Sequence, residues 1–139
     1  MKLRVLGMLL LLCALCGCGG PDWASMPPPN LSGDWIQVGA EGSNFYQIAT
    51  ITDTTIECFW HVTKDSSEYL YWSGSYAPPE EGSKTYSWTS ANNMKRALTS
   101  SWALRDESKT FTYNQETDEL SYIIIMGNMR MTVALERVK

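Results

Sequence analysis

Side chains that do chemistry are scarce in this chain. His61 is the single histidine, and of four cysteines only Cys58 lies beyond the first eighteen residues. In an extended strand those two side chains point to opposite faces, so they make neither a thiolate–imidazole pair nor a metal site. The sequence contains no H-E-x-x-H, no G-x-S-x-G and no phosphate-binding loop. Glu80-Glu81 stands between Pro78-Pro79 and Gly82, a solvated loop that does not oppose two acids across a glycosidic bond. Met126, Met129 and Met131 suit a buried strand face better than a soft-metal site. These absences argue against an enzyme, a metal and a cofactor. A hydrolase built from dispersed carboxylates is the catalytic alternative they leave open.

Positive charge is also in short supply. Eleven Lys and Arg face fifteen Asp and Glu, a formal charge of −4, and Lys95-Arg96 is the only adjacent basic pair. A phosphate backbone needs clustered cations, so nucleic acid is excluded as a partner. No disulfide can brace the region after residue 18, because Cys58 has nothing there to pair with. Its hydrophobic core has to suffice. Cys58 itself reads as a small buried hydrophobe.

Long apolar runs are absent as well. Val5 to Leu15, behind Lys2 and Arg4, is too short for the ~20 residues that cross a bilayer, and it has the form of a secretory signal. The signal ends in Leu15-Cys16-Gly17-Cys18, which resembles the lipobox of bacterial lipoproteins. Cys13 and Cys16 each follow a leucine, whereas Cys18 follows Gly17 with Leu15 three residues before it. The resemblance implies cleavage between Gly17 and Cys18, then diacylation of Cys18, leaving residues 1–17 as the signal. An ordinary signal peptide cut near Gly20 is the alternative. Two acyl chains give durable anchoring, so the expected place is the outer side of a cell membrane, held by an N-terminal lipid. Residues 18–30 follow as a Gly/Pro-rich tether, in which Trp23 either sits at headgroup level or contacts the domain.

From Leu31 to Lys139, short β-branched and aromatic stretches alternate with Gly, Asp, Asn, Ser and Pro. That pattern predicts one all-β domain, a small antiparallel meander barrel or strongly bent sandwich of eight or nine strands. Strands are expected near 33 to 38, 45 to 52, 55 to 63, 67 to 76, 85 to 89, 97 to 104, 109 to 114, 119 to 126 and 129 to 137, with one possible turn of helix at 91 to 95. Met129, Met131, Val133 and Leu135 alternate with Arg130, Thr132, Ala134 and Glu136, one buried face and one wet. Gly127-Asn128 marks a hairpin with Leu120, Tyr122, Ile124 and Met126. The same alternation places Ile56, Cys58, Trp60, Val62, Leu70, Trp72, Gly74 and Tyr76 inside, joined by Leu98, Trp102, Leu104, Phe111 and Tyr113. Phe59, Tyr69 and Tyr71 fall outside.

Two binding sites follow from that division. An exposed patch of Phe59, Tyr69 and Tyr71 suits a protein or envelope partner. An interior site around Trp60, Trp72 and Trp102 suits a small apolar or sugar ligand.

Leu31-Ser32-Gly33-Asp34-Trp35 resembles the L-x-G-x-W opening of calycin barrels, the group of lipocalins and avidins. The resemblance implies that Trp35 closes one barrel end under a basic residue, here Arg137. Ala49 to Glu57, Phe59-Trp60, Leu70 to Ser75 and Lys109 to Tyr113 resemble small uncharacterised lipoproteins of Gram-positive bacteria and their phages and prophages. That second resemblance implies a place and a fold but no reaction. It carries one expectation of role, the exclusion of a second infecting phage.

Overall fold

The computed structural model describes residues 19–139. The signal segment, the Gly17/Cys18 cleavage point and the lipidation site Cys18 lie outside the described residues. Eight antiparallel strands run β1 (Gly33–Gln37), β2 (Phe45–Ile51), β3 (Thr55–Val62), β4 (Ser67–Ser75), β5 (Thr85–Ala91), β6 (Ser108–Asn114), β7 (Glu119–Met126) and β8 (Met129–Arg137). They form one sheet in the order β4-β3-β2-β1-β8-β7-β6-β5. Two four-stranded meanders are thus joined where β1 pairs β8, with Trp35 opposite Arg137. The sheet curls into a nearly closed barrel because β4 and β5, its two edges, meet on the far side.

That meeting is narrow. It consists of a bridge between Gly74 and Asn92, the Asn93 N–H donating to Ser73 O (2.8 Å), and the Ala91 N–H donating to Ser75 Oγ (2.8 Å). Inside the seam, Trp72 Nε1 donates to Ser90 Oγ at 3.0 Å. Gly74 permits the approach: a Cβ there would overlap Ser90 Oγ, the Ala91 carbonyl (2.6 Å) and Trp72 Nε1 (2.7 Å). Only a residue without a side chain fits.

Two expectations are corrected here. The ninth strand, 97 to 104, does not form. Asn93 Oδ1 accepts from the Arg96 N–H and caps one helical turn, α1 (Met94–Ala97), after which the chain loops back over the outside of the barrel. Leu98 and Trp102, assigned inward, are exposed, and only Leu104 of that set packs on the core. The second correction lies in β4. Cys58 pairs with Trp72 and Phe59 with Leu70, so Tyr71 is an extra residue, a β-bulge. The bulge breaks the alternation. Tyr71 and Trp72 are both buried in the main core, while Leu70 faces outward into a second small cluster with Ala97, Ala103 and Phe59.

Met126 and Met129 are also exposed rather than inward, since they end β7 and β8 beyond the covered part of the sheet. Gly127 between them has φ +61° and occupies the first central place of the two-residue hairpin turn. At the other end of the barrel, Trp23 is half-buried in a short 3₁₀ turn (Trp23–Ser25). The Trp23 and Met26 carbonyls lie so close to Gly82 that a Cβ on Gly82 would overlap both. The segment preceding the barrel therefore touches the β4–β5 loop.

The seam yields the first prediction. Gly74→Val should destabilise the fold by about 2–3 kcal/mol through overpacking, seen as a lower urea midpoint. Ser87→Val, which adds bulk at an exposed β5 position, should stay within about 0.5 kcal/mol of the parent.

Candidate functional site

The two ends of the barrel differ. Where the chain enters, Leu31 and Trp35 are fully buried, and Trp35 Nε1 donates to Leu31 O at 3.0 Å. The Arg137 guanidinium lies 4.5 Å from the Trp35 ring centroid. It donates to Asp118 Oδ1 (3.0 Å) and to the Asn30 carbonyl (2.6 Å). Tyr113 meets Trp35 edge-on at 6.2 Å and donates to the same Asp118 oxygen (2.8 Å). A cation–π contact, three charge-assisted hydrogen bonds and a buried indole shut this end.

At the opposite end nothing comparable fills the mouth, and a cavity of about 800 Å³ opens there. Its walls come from Phe45, Trp60, Tyr71, Trp102, Leu104 and Ile124, with Ile125 and Met126 on the rim and Asn44 and Lys64 the polar exceptions. The rings are arranged rather than merely present. Phe45 meets Trp60 edge-on (5.6 Å), Trp60 meets Tyr71 (6.3 Å), and Tyr71 stacks on Tyr122 (6.3 Å). On the rim, Trp102 stacks on Tyr69 at 4.9 Å. Phe45 and Trp102 keep 59% and 54% of their surface exposed, so large rings here face solvent instead of core.

Beneath the cavity lies a buried polar chain. Tyr122 donates to Gln47 Oε1 at 2.6 Å, and the Cys58 side chain is wholly buried in the same core. Burial pushes the Tyr122 phenol well above its ordinary range. It also pushes the Cys58 thiol up to about 12, against the weaker pull of the Tyr122 hydroxyl and the Lys109 charge. Gln47 is wholly buried and its Nε2 has no partner among the described residues.

Lys109 is the outlier of this interior. Its Nζ sits 5.1 and 5.3 Å from the Tyr71 and Tyr122 ring centroids and donates to Tyr71 Oη (3.1 Å) and Ile123 O (2.6 Å). That carbonyl is free because β6 and β7 pair only from Thr112–Ser121 to Asn114–Glu119 and then part. The split leaves a lateral gap of about 370 Å³ bordered by Lys109, Thr110, Ile123 and Arg130. Burial holds the ammonium below its usual pKa range, opposed by the negative charge of Asp106.

The residues singled out from sequence separate accordingly. Trp60 and Trp102 meet at the cavity, while Trp72 does not reach it and is fixed in the seam by Ser90. The proposed outer patch of Phe59, Tyr69 and Tyr71 does not exist as one surface. Phe59 is covered by Ala97 and Ala103, Tyr71 points inside because of the bulge, and Tyr69 remains on the rim against Trp102. Trp35 and Arg137 lie together at the closed end. Phe45, Tyr122, Gln47 and Lys109 were not singled out. The alternation of Lys109, Phe111 and Tyr113 already places that lysine on an apolar face. His61 stacks on Tyr46 (4.9 Å) with Nδ1 3.6 Å from Glu68, outside the cavity, and Glu80-Glu81 lies in the β4–β5 loop.

The state of Cys58 generates a prediction. In native protein at pH 8 to 9 a water-soluble disulfide reagent should leave this thiol unmodified, and in denaturant it should react fully. Rapid native labelling would show that water reaches the barrel interior at Cys58.

No protein-family model, curated protein or solved structure matches the chain. The nearly closed eight-stranded antiparallel barrel is consistent with a calycin-like fold, and its own geometry has to carry the reading of its function.

Proposed function

We propose that this protein is a lipid-anchored extracytoplasmic binding protein whose barrel mouth holds a small, largely apolar ligand. The observation that carries the reading is the cavity of about 800 Å³ walled by aromatic rings at the end opposite the chain's entry. Ligand sites of folded proteins fall in the range of roughly 300–1,000 Å³, with apolar walls and a few polar groups for orientation. Asn44, Lys64 and the Tyr71 hydroxyl would be those groups here. An anchor at Cys18 would enter from the closed end and leave the mouth facing away from the membrane. No side chain at the cavity forms a nucleophile–base pair, so the proposed role is binding without catalysis.

A second reading rests on the rim. Phe45, Trp102, Ile125, Met126 and Met129 are all exposed, and a protein or envelope partner would cover them.

An uncharged naphthylamine fluorophore separates the two. The full chain should bind it saturably and with quenching of tryptophan emission. Trp102→Ala and Phe45→Ala should each weaken binding about fivefold, in line with the loss of one ring contact, without changing the far-ultraviolet circular dichroism. Absence of saturable uptake would end the cavity reading and leave the rim as a macromolecular contact.

The anchor has its own test. Intact mass spectrometry of membrane-extracted protein should show a chain beginning at Cys18 with added acyl mass, lost in Cys18→Ala. A released, unacylated chain would refute lipid anchoring.

A further inference from the structure

We infer that the ligand is an amphiphile with one acidic head, its tail in the mouth cavity and its head at Lys109 in the gap between β6 and β7. The inference rests on the cavity-binding reading and specifies the class of molecule bound.

Cavity and gap form a two-part site. They adjoin through shared lining at Tyr71, Leu104 and Ile125, and the gap is the richer of the two in hydroxyls and charges. The cavity is walled by rings and aliphatic chains. The gap also has apolar lining from Leu104, Tyr122, Ile123 and Ile125, but adds the hydroxyl-bearing Ser108, Thr110, Thr112, Ser121 and Thr132 and three charges, Asp106, Lys109 and Arg130, with a net excess of one positive. A wholly apolar ligand would leave those polar groups unused.

Lys109 borders the gap and reaches Tyr71, one of the residues that both parts share. An ammonium has three N–H donors, and Lys109 directs one to Tyr71 Oη and one to Ile123 O. Among the described residues it belongs to no ion pair within 4 Å, although it is buried. A buried cation without a counter-ion is costly, and the two tyrosine faces beside it offset only part of that cost. A carboxylate or phosphate head would take the remaining donor and supply the missing charge. Such charge-assisted hydrogen bonds are about twice as strong as neutral ones. The Tyr71 hydroxyl, 3.1 Å from the ammonium, is placed to share the same oxygen. Arg130 on the gap's border adds a second attraction for an anion, opposed in part by Asp106 on the same border.

The test uses the full chain carrying Cys18→Ala, which permits work without detergent, and three probes of equal tail length: dodecanoate, dodecyl phosphate and dodecan-1-ol. At least one acidic probe should bind ten-fold or more tightly than the alcohol by calorimetry, and the tighter of the two identifies the head. Lys109→Met should abolish that preference while leaving the alcohol's affinity within about twofold. Should Lys109→Met fail to fold, Tyr71→Phe decides instead, with an expected drop in preference of threefold or more. Equal binding of all three probes, or a preference that survives Lys109→Met, would overturn the headgroup assignment and leave the apolar cavity standing. If no probe binds, the cavity reading and the headgroup fall together.

Discussion

The close approach of β4 and β5 at Gly74 is the constraint on which the rest of this barrel depends. Eight strands in simple antiparallel succession make a sheet with two open edges, and exposed edges invite pairing with other chains. Here a short stretch of each edge is closed against the other. The backbones reach that distance only because position 74 has no side chain and Trp72 has a buried hydroxyl, Ser90, to receive its indole N–H. A seam so narrow leaves the remaining curvature to the strands, and the β-bulge at Tyr71 stands just before it.

The bulge then determines what the interior can be. By adding one residue to β4 it turns Tyr71 inward beside Trp72, so two consecutive rings enter the core where strict alternation allows one. Tyr71 thereby becomes the hinge of the internal chemistry. Its ring lies among Trp60, Tyr122 and the Lys109 ammonium, and its hydroxyl accepts from that ammonium. The same residue that spoils an outer contact patch creates the junction of an apolar cavity and a polar gap. A second irregularity, the parting of β6 and β7, frees the Ile123 carbonyl that holds the lysine from the other side.

The regular parts of this fold were legible in the sequence, and the irregular parts were not. The alternation from Met131 to Leu135, the Gly127 turn and the run of short β-branched segments carry the all-β meander directly, because a two-residue period and a turn residue are local properties. Trp35 and Arg137 were reached through the L-x-G-x-W resemblance, since neither residue announces the other across a hundred positions. The segment 97 to 104 was misread because an exposed Leu98 and Trp102 look like core residues when only side-chain type is visible. What distinguishes them is the Asn93 cap that starts a helix just before. The bulge had no local signal at all, since a pairing offset is a property of two strands and not of one. Lys109 was visible as a lysine in phase with Phe111 and Tyr113. Its significance depends on Tyr71, thirty-eight residues away, and on a carbonyl that β6 declines to pair.

The position of β1 has a mechanical consequence. The chain enters the barrel as Leu31, plugged under Trp35, and continues into a strand flanked on one side by β2 and on the other by β8. A pull on the N-terminus therefore runs along β1 and loads its hydrogen bonds to both neighbours simultaneously, in shear. Once the contact of Trp23 and Met26 with the β4–β5 loop gives way, the Arg137 clamp on Asn30 takes the strain. A terminus at a sheet edge would instead peel away one bond at a time. Under the proposed N-terminal anchoring, a load on the tether would meet the barrel in that shear direction.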